Sequence, residues 1–274
     1  MSTNFNEHLA EQIIKFMLPL GDELAGRVAQ GVVPSTRKSS AGDLVTALDI
    51  EVEARLRTFL GGLLPGSSFV GEENANEPNG GLDVWVVDPI DGTTNVVHGV
   101  RYAAISVALL RDNDVVIGIV HNIFDRTAAM ATAGRGAVQV RPDGSRTALK
   151  VSATSSLASA LVSFGLPYDR KNSARLFRAA EKVFAASQDL RRQGSAALDL
   201  VSVASGRLEA HFELDLRVWD IAAAGLILSE AGGRLTDWLG EPLVFRIPEA
   251  RITVQASNGL VHSELRQVLA ADVG

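Results

Sequence analysis

Apolar residues at Leu9, Ile13, Met17, Leu20, Leu24 and Val28 recur at intervals of three and four, so residues 6–30 read as an amphipathic helix. Pro19 lies within that stripe and is expected to kink or break it. Residues 33–42, VPSTRKSSAG, read as a loop. A second helix starts at Thr46-Ala-Leu-Asp49, which has the form of a capping box. Its stripe of Ile50, Leu56 and Leu60 runs to Gly61-Gly62. The pattern then changes to short apolar runs between turn residues. Residues 69–70, 84–87, 103–110, 115–120 and 127–132 read as strands.

Beyond residue 150, helices and strands alternate. Residues 173–186 are amphipathic, with Leu176, Phe177, Ala180, Val183 and Phe184 on the inner face. Residues 195–205 form another helix, closed by Gly206. Residues 208–212 and 251–256 read as strands, 220–231 as a buried Ala-rich helix, and 261–269 as a closing helix. The class is α/β or α+β, with a strand-rich first half and a βα-alternating second half. The 274 residues fit one two-lobed domain, with approximate lobes 1–150 and 151–274 and no evident linker.

Composition narrows the chemistry more than the fold. Hydrophobic residues make up 46% and charged residues 21%, an ordinary globular balance. The net charge of -6 provides no footprint for nucleic acid, so an anionic substrate would need cations recruited locally. With no cysteine, thiolate nucleophiles, thiolate zinc sites and disulfides are excluded. The five histidines include no helix-spaced pair and read as surface or packing residues. The start MSTNFNEHLAEQ lacks a basic-then-apolar leader, and no apolar run could span a bilayer. The expectation is a cytoplasmic protein without a membrane partner.

Residues 85–95, WVVDPIDGTTN, are the most informative stretch. A buried strand is expected to end at Asp88, and Pro89 to take the chain out of the sheet in a stiff turn. That turn can aim Asp88, the Ile90 carbonyl and Asp91 into one volume. Gly92 allows close backbone approach, and Thr93-Thr94 can open a helix whose N–H groups favour an anion. Few carboxylates plus phosphate oxygens are how magnesium is held. Read alone, the string is also compatible with an Asx-turn and a helix cap. Gly71-Glu72-Glu73-Asn74 adds two acids at another strand end, only one of which can share the first pair's direction. Asp220 opens the Ala-rich helix and could be its cap. Carboxylates gathered at element ends repel one another unless cations lie between them. No GxxxxGK[ST], GxSxG, HExxH or GxGxxG competes.

These strings resemble the motifs of the inositol monophosphatase family of magnesium-dependent phosphatases. WVVDPIDGTTN, FVGEEN and WDIAAAGLILSEAGG carry the resemblance. So do RKSSAGDLVTALD at 37–49, Gly194-Ser-Ala-Ala197, and Glu213 seven residues before Asp220. The likeness extends from about Lys38 to Gly233. It implies the family's layered αβαβα sandwich, the sugar-phosphatase fold, and a homodimer. It also implies two to three Mg2+ ions. Glu72, Asp88 and the Ile90 carbonyl would hold the first; Asp88, Asp91 and Asp220 the second; a third, weaker ion would sit near Glu72. Gly92 and Thr93 would bind phosphate through their N–H groups, and Thr93 with Glu72 would orient the attacking water. Asp91, Gly194, Ser195, Ala196, Glu213 and Asp220 would face the alcohol. Lys38, Asp43, Thr46, Asp49 and Glu73 would supply a loop and supporting contacts.

The chain departs from the family at Val96, at Val100-Arg101-Tyr102 and over residues 136–152, which bears on the substrate wall and dimer contacts rather than the metal ligands. The implied substrate is inositol monophosphate. Nucleotide bisphosphate, histidinol phosphate and fructose bisphosphate are alternatives; Thr94-Asn95 and Glu213 favour the inositol type. A regulator of RNA machinery is a rival of another class, but Arg191-Arg192 is the only basic pair near a motif. A structural or metal-storage protein would not need Gly92-Thr93 laid out for an anion beside the carboxylates.

Overall fold

The computed structural model describes residues 3–31, 35–37, 44–74, 82–167, 169–245 and 251–270. Helix α1 (Thr3–Ala29) is followed by a two-stranded ribbon of β1 (Ser35–Arg37) and β2 (Leu44–Thr46). Helix α2 (Ala47–Leu63) then leads into β3 (Ser68–Gly71) and β4 (Asp83–Asp91). The one-turn helix α3 (Thr93–Val97) precedes β5 (Ala104–Arg111), β6 (Asp114–Asn122), β7 (Thr127–Thr132), β8 (Ala137–Val140) and β9 (Arg146–Ala148). Strands β3 to β9 form one seven-stranded sheet in chain order, antiparallel except between β3 and β4.

The second half supplies β10 (Leu161–Phe164), α4 (Ser173–Ala186), β11 (Asp189–Arg191), α5 (Ala196–Ala204) and β12 (Ala210–Leu216). It closes with α6 (Val218–Glu230), β13 (Arg234–Thr236), β14 (Ile252–Ser257) and α7 (His262–Ala270). Its five strands are ordered β11-β10-β12-β14-β13, with β10 parallel to both neighbours.

Three apolar clusters define the layers. Helices α1 and α2 cover one face of the larger sheet through Trp85, Val87, Ile105 and Ile119. Helices α5 and α6 fill the space between the sheets, against Val84, Val86 and Ala108 on one side and Val254 and Ala256 on the other. Helices α4 and α7 cover the far face of the smaller sheet through Val162, Phe212, Leu176 and Leu265. The result is the expected αβαβα order. It explains why β4 and β5 read as continuous apolar runs, since both faces are covered. It also explains the alanines of α6: at Gly118 of β6, an added Cβ would stand 2.4 Å from the Ala223 carbonyl oxygen.

Several expectations are corrected. Helix α1 runs through Pro19, whose ring faces solvent while Met17 and Leu20 on either side are buried against the sheet. Residues 35–37 of the expected loop are strand. Ile50 is 53% exposed, and the inner face of α2 instead carries Leu48, Val52, Leu56 and Leu60. The helix also passes Gly61-Gly62 to Leu63. Phe177 and Phe184 point outward from α4, whose buried face is Leu176, Ala179, Ala180 and Val183. Strand β4 does not end at Asp88 but continues past Pro89 to Asp91.

Candidate active site

That continuation creates the acidic pair. Opposite β5, Asp88 pairs with Ser106 and Asp91 with Ala104, so β4 carries one extra residue between them. In an unbroken strand, residues three apart face opposite sides. The bulge resets the alternation, and both acids share the face of Ser106 and Ala104. The missing N–H of Pro89 is tolerated there, and the Ile90 N–H donates to Asp88 Oδ1 at 3.0 Å.

Thr46 and Asp49 form the expected capping box at the start of α2. The Thr46 backbone N–H donates to Asp49 Oδ2 at 2.8 Å, and its hydroxyl donates to the same oxygen at 2.5 Å. The other oxygen, Oδ1, accepts the Thr93 hydroxyl at 2.8 Å, so the cap also anchors the Gly92–Thr93 turn. Thr93 Oγ1 also lies 2.9 Å from the Ile90 carbonyl oxygen. Glu72 follows β3, and its N–H donates to the Val87 carbonyl at 3.1 Å. The turn behind it is held by Glu53, fully buried, which accepts the Glu73 N–H and the Asn74 side-chain amide, both at 2.8 Å. Gly71 is required at this point, because a Cβ would fall 2.1 Å from Glu53 Oε2.

Gly92 has φ +102°, and its added Cβ would lie 2.9 Å from the Tyr102 carbonyl oxygen and 3.2 Å from that of Gly194. Gly194 precedes the start of α5, where Ser195 is the N-cap and accepts the Leu198 N–H. The Ser195 hydroxyl donates to Asp91 Oδ2 at 2.6 Å, and the Ala197 N–H donates to the same oxygen at 2.7 Å. Asn95 ties the two segments together by donating to the Tyr102 and Gln193 carbonyls, each at 2.8 Å. Asp220 lies in the first turn of α6, where its Oδ2 accepts the Arg217 N–H at 2.6 Å.

A cleft of about 300 Å³ opens beside these acids, lined by Asp91, Gly92, Gly194, Ser195, Ala196, Glu213 and Asp220, among others. Glu213 projects from β12 next to Gly165, where an added Cβ would fall 1.9 Å from the carboxyl carbon. Behind it lies His211, fully buried, with Nε2 3.3 Å from Glu213 Oε2 and Nδ1 3.6 Å from Asp199 Oδ2. Burial pulls the imidazole pKa down, but Glu213 and Asp199 outweigh this and hold it above the ordinary value. Burial pushes Asp199 up to about 6. Its Oδ1 accepts the Tyr102 hydroxyl at 2.8 Å and the Gln193 amide at 2.9 Å.

The electrostatics of the acids fit a hard cation. Burial raises Asp88 well above the usual carboxylate range, and the charges of Glu72, Asp91, Asp220 and Asp49 raise it further. Asp220 is raised by burial and then by Glu72. Asp91 is raised by burial to about 7, although Ser195 and Ala197 stabilise its charge. Among the described residues, no three His, Cys, Asp or Glu side chains close into a ready-made metal cage. Asp88, Asp91 and Asp220 each direct one oxygen at a protein N–H or O–H donor, and the three charges oppose one another. Buried oxygen donors raised by neighbouring carboxylates are the donor chemistry of a hard divalent cation.

Lys38 and Asp43 lie outside the described residues. Arg191 and Arg192 are both exposed; Arg191 bonds Asp189, and Arg192 lines the cleft against Gly194. The sequence reading missed Glu53, Gly165 and the Asp199–His211 pair. Only the two-residue spacing of His211 and Glu213 on one strand could have signalled that they share a face. Tyr102, noted only as a departure, belongs to this network.

A model of the inositol monophosphatase family matches residues 6–273. The inositol-1-monophosphatase of Synechocystis sp. is 35% identical over 85% of this chain and 79% of its own length. Among solved structures, the extragenic suppressor protein suhB of Bartonella henselae superposes with a TM-score of 0.83 at 29% identity, covering 95% of this chain and 98% of that one. The structure of inositol monophosphate-bound SaIMPase-II gives a TM-score of 0.77 at 28% identity, covering 98% of this chain and 94% of its own.

Proposed function

Because the chain belongs to the inositol monophosphatase family and is a phosphoric monoester hydrolase, we propose that it is Mg2+-dependent and releases phosphate from inositol monophosphate or a similar small polyol phosphate. The observation that carries this reading is the convergence of Asp88, Asp91 and Asp220, all raised by burial and each by neighbouring carboxylates, beside a cleft that holds Glu213. A structural neighbour bound to inositol monophosphate supports the substrate class.

In this proposal Glu72, Asp88 and the Ile90 carbonyl would hold one ion, Asp88, Asp91 and Asp220 a second, and a third would sit near Glu72. Bound there, magnesium supplies acidification of a water and neutralisation of phosphoryl charge. The chain itself does the rest. With its hydroxyl hydrogen directed to Asp49 or Ile90, Thr93 presents its oxygen lone pairs as an acceptor to the attacking water, and Glu72 fixes the water's second direction. The Gly92 and Thr93 N–H groups receive the phosphate. Glu213, Asp91 and Asp220, with the Gly194-Ser195-Ala196 wall, accept and orient the alcohol's hydroxyls. A cytoplasmic homodimer belongs to the same proposal; among the described residues no helix is long and apolar enough to cross a membrane.

The test is phosphate release from a panel of inositol 1-phosphate, histidinol phosphate, fructose 1,6-bisphosphate and adenosine 3',5'-bisphosphate, with magnesium and with chelator. The expected result is turnover that requires magnesium and favours the inositol ester. Turnover that survives chelation would remove the metal, and preference for the nucleotide would remove the polyol assignment.

A further inference from the structure

Strand alternation places His211 and Glu213 on one face of β12, directed at the start of α5. The Glu213 carboxyl lies between two surfaces. On one side is the backbone of Gly165, where a Cβ would displace the carboxyl. On the other is the His211 imidazole, at 3.3 Å. The imidazole is itself held from behind, with Nδ1 2.9 Å from Ser163 Oγ and 3.6 Å from Asp199 Oδ2. Asp199 is fixed in turn by Tyr102 and Gln193. His211 is fully buried and does not line the cleft, whereas Glu213 and Asp199 both do.

We propose that His211 is a positioning residue for substrate: wedged between the Asp199 and Glu213 carboxylates, it holds the Glu213 carboxylate turned into the cleft as an acceptor for a hydroxyl of the alcohol. Without the imidazole at this position, two buried acids would face each other across β12 and α5. The Glu213 carboxylate would then have no partner opposing its swing toward solvent. This inference rests on the reading of the cleft as a polyol-phosphate site, and it adds a specificity determinant from outside the cleft wall.

The test compares KM and kcat for inositol 1-phosphate with those for p-nitrophenyl phosphate, whose leaving group carries no aliphatic hydroxyls. The proteins are wild type, His211→Gln, Glu213→Gln and the double variant. His211→Gln is expected to raise KM for the inositol ester about tenfold more than KM for the nitrophenyl ester, the scale of one charge-assisted hydrogen bond. If His211 acts through Glu213, adding it to Glu213→Gln changes that ratio by less than about twofold. Equal KM changes on both esters, or fully multiplying effects, would overturn the proposal. Should His211→Gln fail to fold, Ser163→Ala, outside the cleft lining, loosens the imidazole from behind; a split in the same direction supports the proposal, and none overturns it. If neither ester is hydrolysed by the wild type, the phosphatase reading falls and the proposal with it. If both are hydrolysed and the ratio does not move, only the proposal falls.

Discussion

Replacing Asp91 by Asn should make the metal-free protein more stable, although it removes a proposed ligand. The gap between the ordinary carboxylate value of 3.8 and about 7 for Asp91 corresponds to about 4 kcal/mol. A carboxyl with a higher pKa folded than unfolded binds more protons in the folded state. The metal-free fold therefore carries the full penalty above about pH 7 and sheds it as the pH falls toward about 4. Asn can keep the local geometry, because Ser195 and Ala197 both donate to the one oxygen, Oδ2, that the amide carbonyl would replace. About 4 kcal/mol is an upper bound, since the amide must still be buried beside Asp88 and Asp220. At about 2 °C per kcal/mol for a chain of this size, the gain in Tm is up to about 8 °C. Thermal denaturation in chelator at about pH 8 reads it directly. Wild type should gain from added magnesium and the variant much less. A variant melting below wild type in chelator would refute the claim that burying the Asp91 charge destabilises the metal-free fold.

Gly165→Ala places a methyl group within 2.0 Å of all three Glu213 carboxyl atoms, so the carboxyl must move by more than 1 Å or so. A rise in KM for inositol 1-phosphate of about tenfold or more is expected from steady-state kinetics, with about 1–3 kcal/mol of stability lost to overpacking. Thr46→Ala removes the α2 cap and frees Asp49, which should cost about 1–2 kcal/mol in urea denaturation and lower kcat through Thr93; Thr46→Ser should restore both.

Long elements were legible because their periods follow from burial. The stripe of α1 showed in its spacing of three and four, and β5 and β7 showed as apolar runs between turn residues. Three-residue strands such as β11 and β13 carry too few positions to show a period, and sheet neighbours alone define them. Phe177 and Phe184 fit a helical stripe yet face solvent, since periodicity does not say which flank of a wide stripe is covered. Asp88, Asp91 and Asp220 were recognisable as a set from their strings. The device that aligns the first two, an extra residue beside Pro89, appears only once β4 is paired with β5. Glu53, Gly165 and His211 stayed hidden because each matters through a partner distant in the chain or across the strand face.

The central claim is that Asp88, Asp91 and Asp220 are gathered to hold divalent cations, and isothermal titration of magnesium into chelator-treated protein tests it most directly. The account expects saturable binding at about pH 7 with release of protons, seen as a dependence of the heat on buffer, because carboxyls with raised pKa values must ionise to bind. It further expects Asp88→Asn to abolish that signal. A wild-type protein that gives no saturable heat, or an Asp88→Asn protein that binds magnesium as tightly as wild type, would contradict it.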